Sequence, residues 1–365
     1  MAASRTDRHT PHSLFGTGLN LHTTFAVIAR NIATMREEPH RDSEQVSQAI
    51  LGDIATYLSE QEEFVRLRTP DGYEGWVCRE DVRILPAIDS TDRGASPSFA
   101  SRLPPWPFLS EHSDNAEPGD VRYVCAGIAD LYEQPGEPWI PMTKLVLGTW
   151  LNVIDRVDES TQMLAVEVPF NRTEEAYREL GSRDGESANA QSGHATPVTV
   201  QSVCVSAYVN VRDTACAHGY RYGREFSGAS VCALSLTFVG TPYLWGGGTP
   251  FGFDCSGFVQ RMYAMHNVTI PRDAYLQARS VLGGGVASGQ ALEPGDLVFF
   301  CSCHDPRGRG ITHVGIALDA DRFVHASGRH GVVVTRFADP SCSSAYPYVG
   351  AWRYALSARY DPRRV

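Results

Sequence analysis

Residues 242–263 read PYLWGGGTPFGFDCSGFVQRMY, and the run GFDCSGFV at 252–259 decides how the C-terminal part of the chain is built. Gly and Pro crowd the stretch before Phe253, as in a turn-rich loop. Beyond Cys255, the residues Val259, Met262 and Tyr263 recur at helical spacing on one face. Cys255 therefore stands in the first turn of a helix that follows a loop. Unpaired N–H groups and the helix dipole favour a thiolate there and lower its pKa from the ordinary value of about 8.5. The same N–H groups can hold the oxyanion of a tetrahedral intermediate. A cysteine can also be simply a small buried hydrophobe, but one placed at a helix start behind a glycine loop reads as a nucleophile.

A nucleophilic thiol needs a base, and THVGIALDADRFVHAS at 312–327 offers His313 and His325 on two apparent strands. If residues 319–321 form the loop, Leu318 faces Arg322 and His313 faces Ser327. His325, two residues from Ser327, then shares the face of His313 as its diagonal neighbour and can hold the far nitrogen of its ring. A two-residue loop would place the histidines on opposite faces and leave two unconnected side chains. Further strands are expected at DLVFF (296–300) and GVVVTRF (331–337). SGASVCALSLTFVG (227–240) reads as a helix capped by Ser227 or Ser230 and stopped by Gly240. A helix carrying the nucleophile on an antiparallel sheet is an α+β layout.

Ahead of this unit, residues 21–87 consist of short alternating stretches separated by turn signals, among them DGYEGWV at 71–77 with its Asp-Gly hairpin turn. Residues 121–212 repeat that character, interrupted by a polar insertion at 171–197 that reads as disordered. Both segments are expected to be small β-barrels, although no strict sequence period relates them. The Ser-, Pro- and Asp-rich 88–120 reads as a linker, 1–20 as a tail, and 225–365 as the catalytic unit.

Composition narrows the function. The chain has 365 residues, 42% hydrophobic and 20% charged, with a net charge of −10. That balance and the absence of a Lys/Arg stripe argue against a nucleic-acid partner. No apolar run reaches the ~20 residues of a membrane span. The N-terminus is polar and shows no signal-peptide core, so a cytoplasmic address is expected, with secretion as the alternative. Nine scattered cysteines suit a reducing compartment better than a disulfide framework.

The series PYLWGG, GFDCSGFV, PRDAYLQ, LEPGDLVFF, THVGI and FVHAS, running in that order from Pro242 to Ser327, resembles the NlpC/P60 family of papain-like cysteine peptidases. The segment with Arg36, Pro39, Gly52 and DGYEGWV resembles a bacterial SH3 (SH3b) domain. The resemblance implies Cys255 as nucleophile, His313 as base, His325 as the orienting group and Tyr243 near the oxyanion. Two SH3b-like domains ahead of such a unit resemble γ-D-glutamyl-L-diamino acid endopeptidases, which cut murein peptides after an L-Ala-γ-D-Glu unit with a free amine. It then implies that Asp273 binds that amine with Arg272 in support, and that the first SH3b domain supplies a tyrosine and an acid, here Tyr73 and Glu38. Asp254 and Ser256 flank the nucleophile as further substrate-binding candidates. Asp273 can instead be a helix N-terminal residue, since PRDAYLQ looks like a helix start. The sequence departs from the family pattern at Ala274, where a Ser is familiar. Neither metal nor cofactor is implied.

Three other readings remain open on sequence: a secreted hydrolase of intact wall, a wall-binding protein with a relic catalytic domain, and a thiol acyltransferase. Several motifs are read as structural. Cys301, Cys303 and His304 lack a second ligand pair for zinc and are read as a loop. Glycines 246–248 and 283–285 are read as turns, and Trp106 as a packing anchor. The sequons at Asn171 and Asn267 carry no meaning without a leader.

Overall fold

The computed structural model describes residues 24–85, 121–135, 141–156, 162–169, 205–217, 226–280, 283–287, 289–301, 310–340 and 347–354. The expected tail, linker and insertion lie outside these residues, as do Trp106, Asn171, Cys303 and His304.

The first barrel contains β1 (Phe25–Ile28), β2 (Ile32–Arg36), β3 (Gln45–Ile50), β4 (Ile54–Gln61), β5 (Phe64–Arg68), β6 (Glu74–Cys78) and β7 (Val82–Ile84). Alternation turns Ala33 and Met35 of β2 and Val77 of β6 inward, where they close a core with Ile28, Val65, Leu67 and Val82. The second barrel contains β8 (Val121–Val124), β9 (Ile128–Tyr132), β10 (Pro141–Val146), β11 (Trp150–Arg156), β12 (Met163–Val168), β13 (Val205–Asn210) and β14 (Thr214–Cys216). The strand orders are β3-β2-β6-β5-β4-β1-β7 and β10-β9-β13-β12-β11-β8-β14. Adding seven to each label of the first gives the second, so the two barrels share one topology that sequence identity no longer displays. The second barrel also runs past residue 212, because Thr214, Ala215 and Cys216 pair with β8.

The C-terminal unit begins with α1 (Gly228–Leu236), whose start is a capping box between Ser227 and Ser230. The helix ends at Leu236 rather than Gly240, because Thr237, Phe238 and Val239 are weak helix formers. Gly240 instead docks the following turn on the sheet, donating its N–H to the Val332 carbonyl at 2.8 Å. Then come β15 (Gly248–Thr249), β16 (Gly252–Phe253), α2 (Cys255–Ala264), the single turn α3 (Ala274–Gln277) and β17 (Gly283–Gly285). The strands β18 (Leu297–Phe300), β19 (His313–Ala317), β20 (Arg322–Ser327), β21 (Gly331–Arg336) and β22 (Tyr348–Tyr354) complete a sheet of order β17-β22-β18-β19-β20-β21.

Glycines 283–285 are thus an edge strand and not a turn. At Gly283 the lack of a side chain is what allows the pairing: a Cβ there would lie 2.4 Å from the Arg353 carbonyl oxygen and 2.7 Å from Trp352 Nε1. Helix α2 lies on β19 and β20, burying Phe258, Val259, Met262 and Tyr263 against Val314, Ile316 and Val324. The expected α+β architecture, with two barrels ahead of a helix-on-sheet unit, is what the chain adopts.

Candidate active site

Asp254 is the N-cap of α2, and its Oδ1 accepts the Gly257 N–H at 2.7 Å. This cap brings Cys255 into the first turn. The loop before it packs so closely that a Cβ on Gly257 would sit 2.2 Å from the Gly247 carbonyl oxygen. Gly246 has φ +69, and a Cβ there would lie 2.6 Å from the Gln45 carbonyl oxygen of the first barrel.

Ile316 pairs with Val324 and Ala317 with Phe323, and the Leu318 N–H donates to the Arg322 carbonyl at 2.8 Å. This is the register that makes His313 and His325 diagonal neighbours. Their rings are nearly perpendicular at 84°, and His313 Nε2 lies 2.7 Å from His325 Nδ1. His313 Nδ1 is the ring nitrogen turned away from that bond. The N–H of Val314, the residue after His313, acts on the Cys255 sulfur together with the Ser256 N–H, so the sulfur lies beside the start of β19.

Burial sets the protonation of the pair. It pushes the Cys255 thiol up to about 12, and Asp254 adds to that; the two N–H groups and Arg272 pull the other way. Burial, followed by the neighbouring His325, holds His313 well below its usual range. His325 falls to about 4 through burial and then His330. Burial thus favours the neutral thiol at Cys255 and the neutral imidazole at His313. The helix terminus does not by itself generate the thiolate expected from sequence, because enclosing the charge costs more than the N–H groups return.

The pocket around Cys255 has walls from both the catalytic unit and the first barrel. Tyr243, Trp245, Asp254, Ser256, Asp273 and Thr312 line it from one side; Glu44, Val46 and Tyr73 line it from the other. Glu44 Oε1 accepts the Trp245 Nε1–H at 2.7 Å. Gln45 Nε2 donates to the Trp245 carbonyl at 2.8 Å, and Gln260 Nε2 donates to Asp71 Oδ2 at 2.7 Å. Burial, then the nearby Asp273, raises the Tyr73 phenol, so Tyr73 is a neutral donor beside that carboxylate.

Asp273 occupies the N-cap position of α3 but makes no side-chain cap bond. Its carboxylate lines the pocket instead. Glu38 does not line the pocket. It belongs to the β2–β3 turn, where Ser43 Oγ accepts its N–H at 2.8 Å, and its side chain is exposed beside His40. Glu44, on the return leg of the same turn, is the acid that lines the pocket. No motif announced it; only the direction of the turn does.

Arg272 is likewise not a wall residue. It is 3% exposed, with Nη2 at 2.6 Å from Asp254 Oδ2, Nη1 at 3.0 Å from both Asp254 Oδ1 and Ser256 Oγ, and Nε at 3.1 Å from Ser47 Oγ. Burial works against its charge, but Asp254 outweighs it and raises the pKa. Asp254 spends its oxygens on the cap and on this guanidinium, so it supports the nucleophile's helix rather than offering a carboxylate to substrate. Among the described residues, no group of three or more His, Cys, Asp or Glu is placed to hold a metal ion, and no helix is long and apolar enough to cross a membrane.

Comparison with known proteins finds matches to two parts of the chain. The NlpC/P60 family matches residues 240–351, and the bacterial SH3 domain matches residues 33–82. A γ-D-glutamyl-L-lysine dipeptidyl-peptidase of Bacillus cereus is 36% identical over 118 residues, which are 32% of this chain and 33% of that protein. The match thus spans about a third of that relative's length. Dipeptidyl-peptidase 6 of Lysinibacillus sphaericus is 25% identical over 83% of this chain and 87% of its own. The crystal structure of an NlpC/P60 family protein from Bacillus cereus shares the fold, with a TM-score of 0.62 at 20% identity over 90% of this chain and 99% of that one. Residues 240–351 thus match an NlpC/P60 domain, with a match to a bacterial SH3 domain ahead of it at residues 33–82.

Proposed function

We propose that the protein hydrolyses the γ-D-glutamyl-L-diamino acid bond of murein peptides that carry a free N-terminal L-Ala, releasing L-Ala-D-Glu. One observation carries the reading: Asp273, Glu44 and Tyr73 line the same pocket as Cys255, with two of the three supplied by the first barrel. Two carboxylates and a phenol lining one pocket suit an ammonium group, and a blocked amine would forfeit that charge pairing.

In this reading Cys255 Sγ attacks the γ-carbonyl carbon of D-Glu while His313 Nδ1 takes the thiol proton. The Ser256 N–H and Tyr243 face the oxyanion. His313 then returns the proton to the amine of the departing diamino acid, leaving a thioester on Cys255. Water, deprotonated by His313, hydrolyses the thioester, and the thiol is regenerated. Selection for a free amine suits a recycler of released peptides rather than a lysin of intact wall.

The test is hydrolysis of L-Ala-γ-D-Glu-meso-diaminopimelate beside its N-acetylated form, with Cys255→Ala as control. Cleavage of the free-amine peptide alone, abolished in the variant, supports the reading. Equal cleavage of both removes amine recognition, and cleavage of neither removes the substrate class.

A further inference from the structure

The hydrogen-bond line that begins at His313 does not stop at His325. In the β20–β21 ladder His325 faces Val333 and Phe323 faces Thr335. Thr335 is therefore on the same face as His325 and diagonal to it, the relation that His325 itself has to His313 one strand earlier. His325 Nε2 lies 3.0 Å from Thr335 Oγ1. A diagonal of three side chains, His313–His325–Thr335, crosses β19, β20 and β21.

We infer that Thr335 is a positioning residue of the catalytic site, whose hydroxyl accepts the His325 Nε2–H and so fixes the tautomer of both histidines. The inference rests on the proposed roles of Cys255 and His313. To take a proton from Cys255, His313 Nδ1 must be bare, so its proton sits on Nε2 and is donated to His325 Nδ1. His325 Nδ1 is then an acceptor, which puts the His325 proton on Nε2, where Thr335 Oγ1 is the acceptor. When His313 becomes an imidazolium, each bond in the line is already oriented to support the charge. His325 is 3% exposed, so an Nε2–H without an acceptor would be left buried and unpaired. The competing tautomer, with the proton on His325 Nδ1, forces His313 to carry its own proton on Nδ1, which silences it toward Cys255.

The experiment compares the full-length wild type with T335V, which keeps the volume and loses the acceptor, and T335S, which keeps the acceptor. Hydrolysis of L-Ala-γ-D-Glu-meso-diaminopimelate gives kcat and KM, thermal unfolding reports the fold, and imidazole nitrogen-15 NMR reports the tautomers. T335V is expected to lose about tenfold in kcat, the worth of one neutral hydrogen bond, with KM changed by less than about twofold. T335S is expected to restore kcat, and the wild-type spectrum to show His325 protonated on Nε2. Wild-type kcat in T335V, or T335S as slow as T335V, overturns the inference. Should T335V unfold, a wild-type His325 protonated on Nδ1 still overturns it. Activity in Cys255→Ala would instead remove the underlying catalytic reading, so the two failures are distinguishable.

Discussion

Arg272 and Ser47 are 225 residues apart in the chain and 3.1 Å apart in space, joined by a hydrogen bond between Nε and Oγ. Through Asp254, another partner of Arg272, this contact ties the first barrel to the cap of the nucleophile's helix. Arg272→Met leaves Asp254 buried without a cation and is expected to destabilise the protein by about 3 kcal/mol. Arg272→Lys should recover little of this, since a point charge cannot serve Asp254, Ser256 and Ser47 together. Ser47→Ala should cost only about 1 kcal/mol. Urea unfolding of the three variants checks the order.

Removing the charge of Asp273 or Glu44 should weaken binding of the free amine rather than the chemistry. Asp273→Asn and Glu44→Gln are each expected to raise KM for the free-amine peptide about tenfold or more, with kcat little changed. Glu44→Gln keeps an oxygen for the Trp245 Nε1–H, so it tests charge and not packing. Steady-state kinetics on the free and N-acetylated peptides measures both; a variant that lowers kcat on each peptide alike would remove the residue from amine recognition.

The buried histidines make stability depend on pH with a definite sign. His325 falls from 6.5 to about 4 on folding, so between those values the unfolded chain binds a proton that the native chain refuses. Stability therefore rises with pH across that window and is lost as pH falls through it, by about 3 kcal/mol for this residue. His313 acts in the same direction. Asp53 and Asp81, whose carboxyls burial raises, act oppositely. The measurement is thus a difference: the slope of unfolding free energy against pH in wild type minus that in His313→Gln/His325→Gln, which should be positive between pH 4 and 6.5.

Gly257→Ala should be poorly tolerated although alanine favours helices. The new methyl group meets the Gly247 carbonyl at 2.2 Å, backbone against helix, with no flexible side chain to give way. A loss of about 1–3 kcal/mol is expected, together with a misplaced Cys255. Thermal unfolding and hydrolysis rate should fall together; an alanine variant with both unchanged would show that the loop can move.

The catalytic unit was legible where local rules act alone. The Asp254 cap and the Val259, Met262, Tyr263 stripe place Cys255, and the length of one loop sets the face of His313 against His325. Glu44 was not legible, because either leg of the β2–β3 turn carries acids and only tertiary contact with Trp245 chooses between them. The strand at 283–285 was hidden because glycine carries no hydropathy period, and its pairing partner lies near residue 353. The burial that opposes a thiolate at Cys255 was not legible, because a helix start implies its N–H groups but not how deeply the fold encloses them.

The Arg272 strut also has a consequence for biosynthesis. Ribosomes deliver the first barrel well before residue 272, and domains fold in that order. Asp254 acquires its counter-ion once Arg272 follows it, and the tie to the first barrel closes when Arg272 reaches back to Ser47, made much earlier. The nascent chain thus holds an unfinished cleft at least until Arg272 has been made. A truncated product lacking either end of the strut would be born without a working blade.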